Sequence, residues 1–424
     1  MAAVSTLRAA MGALDIAIAG CGPAGLAAAL LLTRDGYRVT IFERFDAPNP
    51  VGSGLMIQPT GLAILDALGL ADDIRRLGAR IDRLFGQTGG SGRTVLDVRY
   101  AALGQRAGHG IGIHRASLFG VLFDAAEAAG ISIETGCAIS GTRIEGLRRY
   151  LTFENGEQSQ PFDLVVDALG TWTPLAPPTG KALAYGALWT NLDWLEDAGF
   201  DKTALEQRYR RASTMAGVLP IGTPPGSTKA KAAFFWSLRA DRLDDWRRAG
   251  LDAWKAQVRD LWPLTASLLD QICDPDQLTF AHYAHRTLPR PAEPAMIHIG
   301  DAWHSASPQL GQGANMALLD AWALAAGLRG APSVDDGIAR AVAMRRGHVR
   351  LYQWMSAMFT PVYQSDSRVL PMIRDGLVGP LSGLWPATWV QAAMVSGLIG
   401  APLGKLGLAS TPAATAKASL LSTT

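Results

Sequence analysis

The stretch "IAIAGCGPAGLAAALLLTRDGYRVTIFER", residues 16–44, decides the fold. It opens with a short apolar strand pattern, which a glycine-rich turn interrupts. An apolar, helix-forming run follows and ends at Gly36, and a second apolar strand pattern ends at Glu43 and Arg44. Strand, helix and strand in this order predict a parallel βαβ unit with a right-handed crossover.

The three glycines of the first turn have the spacing Gly20-x-Gly22-x-x-Gly25. Gly20 permits a tight turn, Gly22 lets a pyrophosphate approach the backbone, and Gly25 lets the helix pack on the sheet. The helix N-terminus offers free N–H groups and a partial positive charge. Glu43 ends the second strand, where its carboxylate can accept hydrogen bonds from ribose hydroxyls. This order of features predicts a Rossmann-like dinucleotide site.

A second glycine turn lies in "GDAWHSASPQLGQGANMALLDA", residues 300–321. Asp301 follows an apolar strand pattern, and Gly311 and Gly313 open a helix whose first turn has no bulky side chain. Backbone amides there can face an anionic ligand. Alone, this stretch is equally well explained as an ordinary helix start. Together with the first turn, it predicts one dinucleotide held along its whole length.

Composition limits the alternatives. The 424 residues are 48% hydrophobic and 18% charged, which indicates a packed globular chain with room for two domains. The net charge is +2 without a long basic run, which argues against a nucleic-acid partner. Cys21, Cys137 and Cys273 are far apart and show neither metal-ligand nor disulfide spacing. We therefore expect no metal site and a cytoplasmic location.

Both glycine motifs resemble those of the FAD-dependent aromatic hydroxylases of the para-hydroxybenzoate hydroxylase type, the single-component flavoprotein monooxygenases. "GSGLMIQPTGLAILDALGL", residues 52–70, and "IGIHRASLFGVLFDAA", residues 111–126, agree with that family, and the resemblance covers roughly residues 14–345. "GVLPIG" (217–222), "FFWSL" (234–238) and "FTPVYQSDS" (359–367) loosely resemble its quinone-biosynthesis branch.

The resemblance implies an α/β fold in which a Rossmann-like FAD-binding domain is interleaved with a mostly antiparallel-sheet substrate domain, followed by C-terminal helices. The FAD-binding domain would comprise residues 1–80, 105–180 and 286–345, and the substrate domain residues 81–104 and 181–285. Residues 346–424 would form the C-terminal helical region. From the residues themselves we expect one charged helix between Leu238 and Leu269.

The resemblance also assigns FAD contacts. Glu43 would bind the adenosine ribose, Asp301 the ribityl chain, and Arg115 would reach the phosphate side. Residues 307–315 would lie along the isoalloxazine, with Pro308 beside the oxygen-reacting position. The expected cofactor-binding residues are Gly20, Gly22, Gly25, Glu43, Arg44, Arg115, Asp301, Gly311, Gln312, Gly313, Ala314 and Asn315.

One departure from the family concerns the electron donor. The family usually has an Ala-Asp-Gly turn followed by serine and arginine, used for FAD and NAD(P)H. Here the stretch is "DALGTWTPLAP", with Leu169 at the aspartate position and Ala176 at the arginine position. Either Leu169 packs and the turn survives through Gly170, or NADH and NADPH dock poorly and the flavin is reduced by another route.

The implied function is hydroxylation of an aromatic or quinone-like small molecule by O₂ through a flavin hydroperoxide, in a biosynthetic route. The cofactor carries the difficult chemistry, which explains the lack of a recognisable catalytic triad. The alternatives are an epoxidase with the same cofactor cycle, a flavin dehydrogenase or reductase that inserts no oxygen, and a flavin-binding protein without turnover.

Candidate catalytic and substrate-pocket residues follow from the same stretches. Pro308 and His304 are the catalytic candidates, with His282, His285 and Tyr283 as further possibilities, although a structural role explains each histidine better than catalysis does. The pocket candidates are the aromatic side chains of Phe234, Trp236 and Tyr283. Strand periodicity places Phe234 and Trp236 on one face and Phe235 on the other, so ordinary sheet core is the competing interpretation.

The tail "PLSGLWPATWVQAAMVSGLIGAPLGKLGLA", residues 380–409, is apolar and nearly uncharged. Prolines and glycines interrupt it, so it is a poor membrane-spanning helix. We expect helices packed on the FAD-binding domain. The alternatives are a peripheral membrane contact or a homodimer surface that admits a lipophilic substrate.

Overall fold

The computed structural model describes residues 13–47, 52–106, 108–379 and 383–408. Within these ranges, strands and helices alternate in the first half, strands dominate the middle, and helices form the end. The strands are β1 Asp15–Ala19, β2 Arg38–Phe42, β3 Gly54–Ile57, β4 Ala79–Ile81, β5 Arg83–Thr88, β6 Thr94–Arg99, β7 Gly110–His114, β8 Ser132–Glu134, β9 Ile139–Glu145, β10 Arg148–Phe153, β11 Leu164–Asp167, β12 Lys181–Ala182, β13 Tyr185–Asp193, β14 Ala204–Arg210, β15 Thr214–Pro220, β16 Lys231–Arg239, β17 Thr279–Ala281, β18 Ala284–Thr287, β19 Ala292–Glu293, β20 Met296–His298 and β21 His304–Ser305.

The α-helices of the described residues range from a single turn to the long helix of the C-terminal region. They are α1 Pro23–Arg34, α2 Pro59–Leu68, α3 Ala71–Leu77, α4 Arg115–Ala128, α5 Leu243–Ala249, α6 Leu251–Leu261, α7 Ala266–Leu269, α8 Gly313–Leu328, α9 Val334–Tyr363, α10 Val369–Ile373, α11 Ala387–Val395 and α12 Pro402–Lys405.

A six-stranded sheet carries the first glycine turn. Its order is β19-β20-β11-β1-β2-β8, and all pairs are parallel except β19 with β20. The central strand β1 pairs with β2 across the helix α1, which confirms the predicted βαβ unit. Ile16 to Ala19 are fully buried because helices and strands cover both faces of this strand.

A second, seven-stranded sheet has the order β17-β13-β16-β15-β14-β5-β6. Its pairs are antiparallel except β14 with β5. Strands β5 and β6 lie between α3 and β7 in the chain, whereas the other strands of this sheet follow residue 184. The two sheets are therefore interleaved in sequence, and the predicted fold class is confirmed.

The prediction of a single helix between Leu238 and Leu269 is wrong. Strand β16 runs to Arg239, and three helices follow, α5, α6 and α7. Gly250 separates the first two because its φ of +82° lies in the left-handed region, which an α-helix cannot continue through. Trp262 is extended before Pro263, as residues preceding proline generally are, and this ends α6.

The C-terminal helices pack on the helix that follows the second glycine turn. The long helix α9 lies along α8, and α12 contacts α9. α11 packs on β6 and on the 3₁₀ turn Tyr100–Arg106. No helix among the described residues has the length and apolar character needed to cross a bilayer.

Candidate active site

The first glycine turn has the backbone that its sequence predicts. Gly20 has a φ of +104°, and a Cβ atom there would lie 2.8 Å from the carbonyl oxygen of Ala168. A Cβ atom on Gly25 would lie 2.1 Å from the carbonyl oxygen of Gly20. At Gly22, the N-cap residue of α1, a Cβ atom would meet nothing within 4 Å. Two glycines therefore make the turn, and the third leaves open space at the helix N-terminus.

Glu43 lies against this turn. Its Oε2 accepts a hydrogen bond from the backbone N–H of Cys21 at 2.9 Å, and its Oε1 accepts one from the N–H of Arg44 at 2.8 Å. The Arg44 side chain is exposed, with its guanidinium 4.7 Å from the centre of the Phe45 ring. The carboxylate is half-buried at the carboxyl end of the sheet, where nucleotides bind in open α/β sheets.

The second glycine turn meets the first through Gly300. This residue has a φ of +57°, and a Cβ atom on it would lie 3.2 Å from the Cβ of Ala24 in α1 and 3.2 Å from the Cβ of Ala317 in α8. Gly300 thus lies between the first turn of α1 and the second turn of α8. The N-termini of α1 and α8 are far apart in the sequence, yet they converge in the structure.

Several residues of the second motif remain accessible to solvent. Asp301, Ala306, Pro308 and Gly313 are exposed, while most residues between them are buried. Asp301 is nevertheless surrounded by protein atoms, and this burial raises the pKa of its carboxyl, with partial offset from the neighbouring His304 and Arg115. A side chain that has many protein atoms around it and is still accessible lies in a concave part of the surface, which we call the cavity. The residues present therefore fit a large group held between both turns.

Arg115 begins α4 and faces the same region. Its side chain is exposed, and its Nε lies 3.2 Å from the position of a Cβ atom on Gly52. Its charge acts on Asp301 and on Tyr283, although burial is the larger influence on the pKa of both. The cation is therefore close to the cavity that Asp301 lines.

Two polar residues of the second turn face protein instead. Asn315 is fully buried, where its Oδ1 accepts a hydrogen bond from the backbone N–H of Gln58 at 2.8 Å and its Nδ2 donates to the carbonyl oxygen of Met56 at 3.1 Å. The Nε2 of Gln312 donates to the carbonyl oxygen of Val395. At these two positions, only backbone groups are available to a ligand.

The two neighbouring residues of the motif have small or absent side chains. Gly311 has a φ of +60°, and Ala314 is half-buried in the first turn of α8.

His304 is hydrogen-bonded to a buried carboxylate. Its Nε2 lies 2.6 Å from the Oδ2 of Asp320, and both side chains are almost completely inaccessible. The other carboxylate oxygen accepts from the Nε of Arg345 at 2.7 Å. His304 therefore has the structural role that was the alternative to catalysis, and it does not reach the cavity.

The aromatic residues of β16 divide between the two faces of the sheet, as the strand period predicts. Phe234 and Trp236 pack edge-to-face on Trp254 of α6, with ring centres 6.1 and 6.4 Å apart. They form core under α5–α7, which corrects their assignment to the substrate pocket. Phe235 points to the other face and lies 4.7 Å from the ring of Trp189.

That other face is directed toward β3, whose Met56 carbonyl accepts a hydrogen bond from Asn315 of the second glycine motif. Ala233, on the same face as Phe235, lies 2.8 Å from the position of a Cβ atom on Gly54 of β3. The indole N–H of Trp189 donates to the hydroxyl oxygen of Tyr283 at 2.9 Å, and burial raises the pKa of Tyr283 to about 12. Trp189, Phe235 and Tyr283 form a row that we call the aromatic row.

The remaining histidine candidates lie at the edge of this region. His282 is exposed and packs on Phe280. The Nε2 of His285 lies 3.4 Å from the hydroxyl of Ser356 and 3.5 Å from that of Thr360. Both hydroxyls contact Ser307, the residue before Pro308, at 3.1 and 2.7 Å. His285 is thus connected to the Pro308 turn through hydroxyl groups.

The altered turn after β11 keeps a defined geometry. Leu169 packs against the cluster around Phe42 and Phe162, and Gly170 has a φ of +86°. Asp167 accepts hydrogen bonds from the N–H of Leu169 at 3.0 Å and from the hydroxyl of Thr173 at 2.7 Å. The turn survives, but the side chain at position 169 offers no polar group.

Two features of the site were not predicted from the sequence. Trp189 is not among the pocket candidates, although the alternation of β13 could have shown which of its residues share a face. Asp167 also pairs with the Nδ1 of His298 at 2.6 Å, a contact between two strands 131 residues apart. Only the sheet order brings these two together, and no local pattern signals it.

The fold and the converging glycine turns define an FAD-dependent monooxygenase of the para-hydroxybenzoate hydroxylase type. The chain belongs to the family described as "FAD binding domain", whose model matches residues 13–335. This confirms the resemblance and the FAD cofactor.

The chain is similar to two enzymes over most of its length. It is 27% identical to the 6-methylpretetramide 4-monooxygenase of Streptomyces rimosus over 85% of this chain and 87% of that enzyme. It is 26% identical to the 2-heptyl-3-hydroxy-4(1H)-quinolone synthase of Mycobacteroides abscessus over 86% of this chain and 93% of that enzyme. Klebsiella pneumoniae HpxO, solved with FAD and uric acid, has the same fold, with a TM-score of 0.79 at 18% identity, covering 93% of this chain and 98% of that one.

Proposed function

We propose that this FAD-dependent monooxygenase hydroxylates a flat, apolar aromatic or quinone-like molecule in a biosynthetic route. The aromatic row carries the proposal, because it lies on the face of the seven-stranded sheet that is directed toward β3, and the charge of Arg115 acts on its Tyr283. Aromatic side chains are common in pockets that bind planar apolar ligands. The names of the two related enzymes, a quinolone synthase and a pretetramide monooxygenase, support the same substrate class.

The proposed FAD contacts follow the two turns. The N–H groups at the start of α1, beside Gly22, would bind the pyrophosphate, with Gly20 and Gly25 keeping the turn tight. Glu43 and Arg44 would bind the adenosine end, Arg115 the phosphate side, and Asp301 the ribityl hydroxyls. Backbone groups of Gly311, Gln312, Gly313, Ala314 and Asn315 would face the isoalloxazine.

FAD, when bound, supplies the reaction with oxygen. The chain's own residues hold the substrate and exclude water from it. The hydrogen bond from Trp189 fixes the Tyr283 hydroxyl, so the indole and the phenol present one continuous surface. Pro308 is exposed to the cavity, while the Ser307 hydroxyl behind it is buried among Ser356 and Thr360. In this proposal the rigid, apolar Pro308 faces the bound substrate, while the Ser307 hydroxyl points away from the cavity.

The domain division that accompanies this proposal is the one expected from the sequence. Residues 1–80, 105–180 and 286–345 would bind FAD, residues 81–104 and 181–285 would enclose the substrate, and residues 346–424 would form a C-terminal helical region. The membership of β5 and β6 in the seven-stranded sheet supports the assignment of residues 81–104 to the substrate side.

In this proposal the electron donor is NADH or NADPH, and it binds more weakly than it would to the turn that is usual in the family. The turn at Gly170 is preserved, but Leu169 places an apolar side chain where the family has a carboxylate. Stopped-flow measurement of flavin reduction by NADH and by NADPH tests this. We expect slow reduction by both, and rapid reduction by either would contradict impaired docking.

The decisive experiment combines ligand binding with isotope labelling. The purified protein, saturated with FAD, is titrated with a neutral 2-alkyl-4-quinolone and with benzoate while the flavin absorbance spectrum is recorded. We expect the neutral ligand to perturb the spectrum more strongly. Turnover under ¹⁸O₂ should then place one labelled atom in the product. Product without the label would favour a dehydrogenase, and no oxygen uptake with any ligand would favour a flavin-binding protein without turnover.

A surface in the C-terminal region completes the proposal. Large apolar side chains there are more than 40% exposed, namely Trp354, Met358, Val369, Met372, Ile373, Leu384, Trp385, Trp389 and Val390. Apolar exposure of this kind is typical of an interface. We expect a homodimer through this surface, with peripheral membrane contact as the alternative. Sedimentation velocity and flotation with liposomes distinguish them, and a monomer that binds no liposomes would contradict both.

A further inference from the structure

The end of helix α11 is held by four side chains from three separate parts of the chain: α2, the turn before α8, and α9. The carbonyl oxygens of residues 394–397 each accept one side-chain hydrogen bond. The last carbonyls of a helix have no partner within it, so they are ready acceptors. The donors, in order along the four carbonyls, are Tyr352, Gln312, Thr60 and His348.

One of these donors lies in the second glycine turn. Gln312 is the N-cap residue of α8, and its Nε2 donates to the carbonyl oxygen of Val395. The backbone of Gly397 packs directly against the Gln312 side chain. A Cβ atom on Gly397 would lie 2.9 Å from the Oε1 of Gln312 and 2.3 Å from the hydroxyl of Thr60. The turn between Gly311 and Gly313 is therefore in direct contact with the end of α11.

The other end of the second motif reaches the same carbonyls through buried charges. The backbone N–H of Gly300, next to Asp301, donates to the Oδ2 of Asp320 at 3.0 Å. Asp320 is paired with Arg345, whose Nη1 donates to the Nδ1 of His348 at 2.8 Å. The Nε2 of His348 then donates to the carbonyl oxygen of Gly397 at 3.2 Å.

Hydrogen bonds thus connect both ends of the second motif to residues 394–397, which lie outside the stretch that the family model matches. We propose that α11 is a clamp on the FAD site, and that Gln312 is the positioning residue that couples FAD binding to the docking of this helix. Docking orders the amides of the glycine turn, and bound FAD in turn stabilises docking. This coupling is reciprocal by thermodynamic necessity.

The proposal rests on FAD binding and predicts a signal away from the cofactor. Hydrogen–deuterium exchange of peptides that cover residues 387–397 is compared between FAD-saturated and FAD-stripped wild-type protein. We expect FAD to slow exchange in this segment. Unchanged exchange there would overturn the proposal, whereas failure to bind FAD at all would instead contradict the assigned cofactor.

Variants then test the link itself. Gln312→Leu removes the donor to Val395 at similar volume, and we expect FAD to dissociate from the holoenzyme roughly two- to tenfold faster, the effect of one hydrogen bond. FAD should also lose its effect on exchange in residues 387–397. The matched control is Trp322→Phe, which removes a donor to the carbonyl oxygen of Leu406, outside the turn. Equal FAD release from both variants, with equal loss of thermal stability, would show general destabilisation and refute the clamp.

Discussion

Gly22 and Gly25 belong to one turn, yet a methyl group would meet open space at Gly22 and would lie 2.1 Å from the carbonyl oxygen of Gly20 at Gly25. One glycine is therefore required by the packing of the fold, and the other by the space that a ligand would occupy. Gly25 is required for packing, and Gly22 keeps room in front of a helix N-terminus.

This difference predicts opposite outcomes for two alanine variants. Gly22→Ala should unfold at the wild-type temperature but bind FAD on the order of tenfold more weakly, because the methyl group enters the ligand's space. Gly25→Ala should lose about 3 kcal/mol of stability or more, because the backbone must move. Thermal unfolding and FAD titration check both. Wild-type FAD affinity in Gly22→Ala would show that the turn does not face the cofactor.

A second pair of variants tests the two faces of β16. Phe235→Leu should weaken binding of aromatic ligands, measured as perturbation of the flavin spectrum, because it removes a ring that packs on Trp189. Phe234→Leu should lower the free energy of unfolding by about 1–3 kcal/mol, because the Phe234 ring packs on Trp254 of α6. Ligand affinity should stay unchanged, because this ring is on the opposite face of the sheet from the aromatic row. The assignment fails if Phe234→Leu affects ligand affinity as much as Phe235→Leu does.

The buried charges around Asp320 predict a pH dependence of stability. Burial and the neighbouring Arg345 lower the pKa of His348 to about 3. An unfolded histidine takes up a proton below about pH 6.5, whereas the folded one stays neutral until about pH 3. The unfolding free energy should therefore fall as the pH drops below 6.5, by up to about 1.4 kcal/mol per pH unit from this group.

His348→Gln tests that origin, because glutamine can accept from Arg345 and donate to Gly397 without titrating. We expect a smaller loss of unfolding free energy between pH 6.5 and 5 than in the wild type, measured by urea denaturation. An identical slope would assign the dependence to other groups. Asp320 also contributes to the pH dependence of stability, at lower pH. Burial raises the pKa of its carboxyl, but His304 and Arg345 outweigh the effect of burial and lower the pKa.

Restoring an acid at position 169 tests the role of the altered turn. Leu169→Asp should increase the rate of flavin reduction by NADH or NADPH, measured by stopped flow at saturating FAD. Leu169→Asn is the control without charge. If reduction is equally slow in both variants and in the wild type, the side chain at this position does not limit reduction.

Local patterns predicted the strands, helices and turns of the FAD site well, because glycine spacing and apolar periodicity act over short stretches of chain. The structure places Gly20, Gly22 and Gly25 in the expected turn and Asp301 in the cavity. Side-chain direction was harder to predict. Gln312 and Asn315 lie in the expected motif, yet their amides bind protein, and this depends on where residues 56–60 and 395 fold back.

The pocket was predicted least well for the same reason. The period of β16 separates Phe234 from Phe235, but the sequence does not say which face a later helix will cover. Trp254, in the later helix α6, packs on Phe234 and Trp236, so their face of β16 is the covered one. The pairing of Asp167 with His298 likewise depends on sheet order.

The order of the six-stranded sheet has a consequence for biosynthesis. Its central strand β1 is translated before its neighbour β11, and β11 long before its own neighbour β20. A nascent chain therefore carries apolar strands without their neighbours until β20 has left the ribosome. Pairing at such sequence separation is slow and leaves intermediates prone to aggregation. Recombinant yield should therefore increase when chaperones are co-expressed, and C-terminally truncated fragments that end before β20 should accumulate as inclusion bodies.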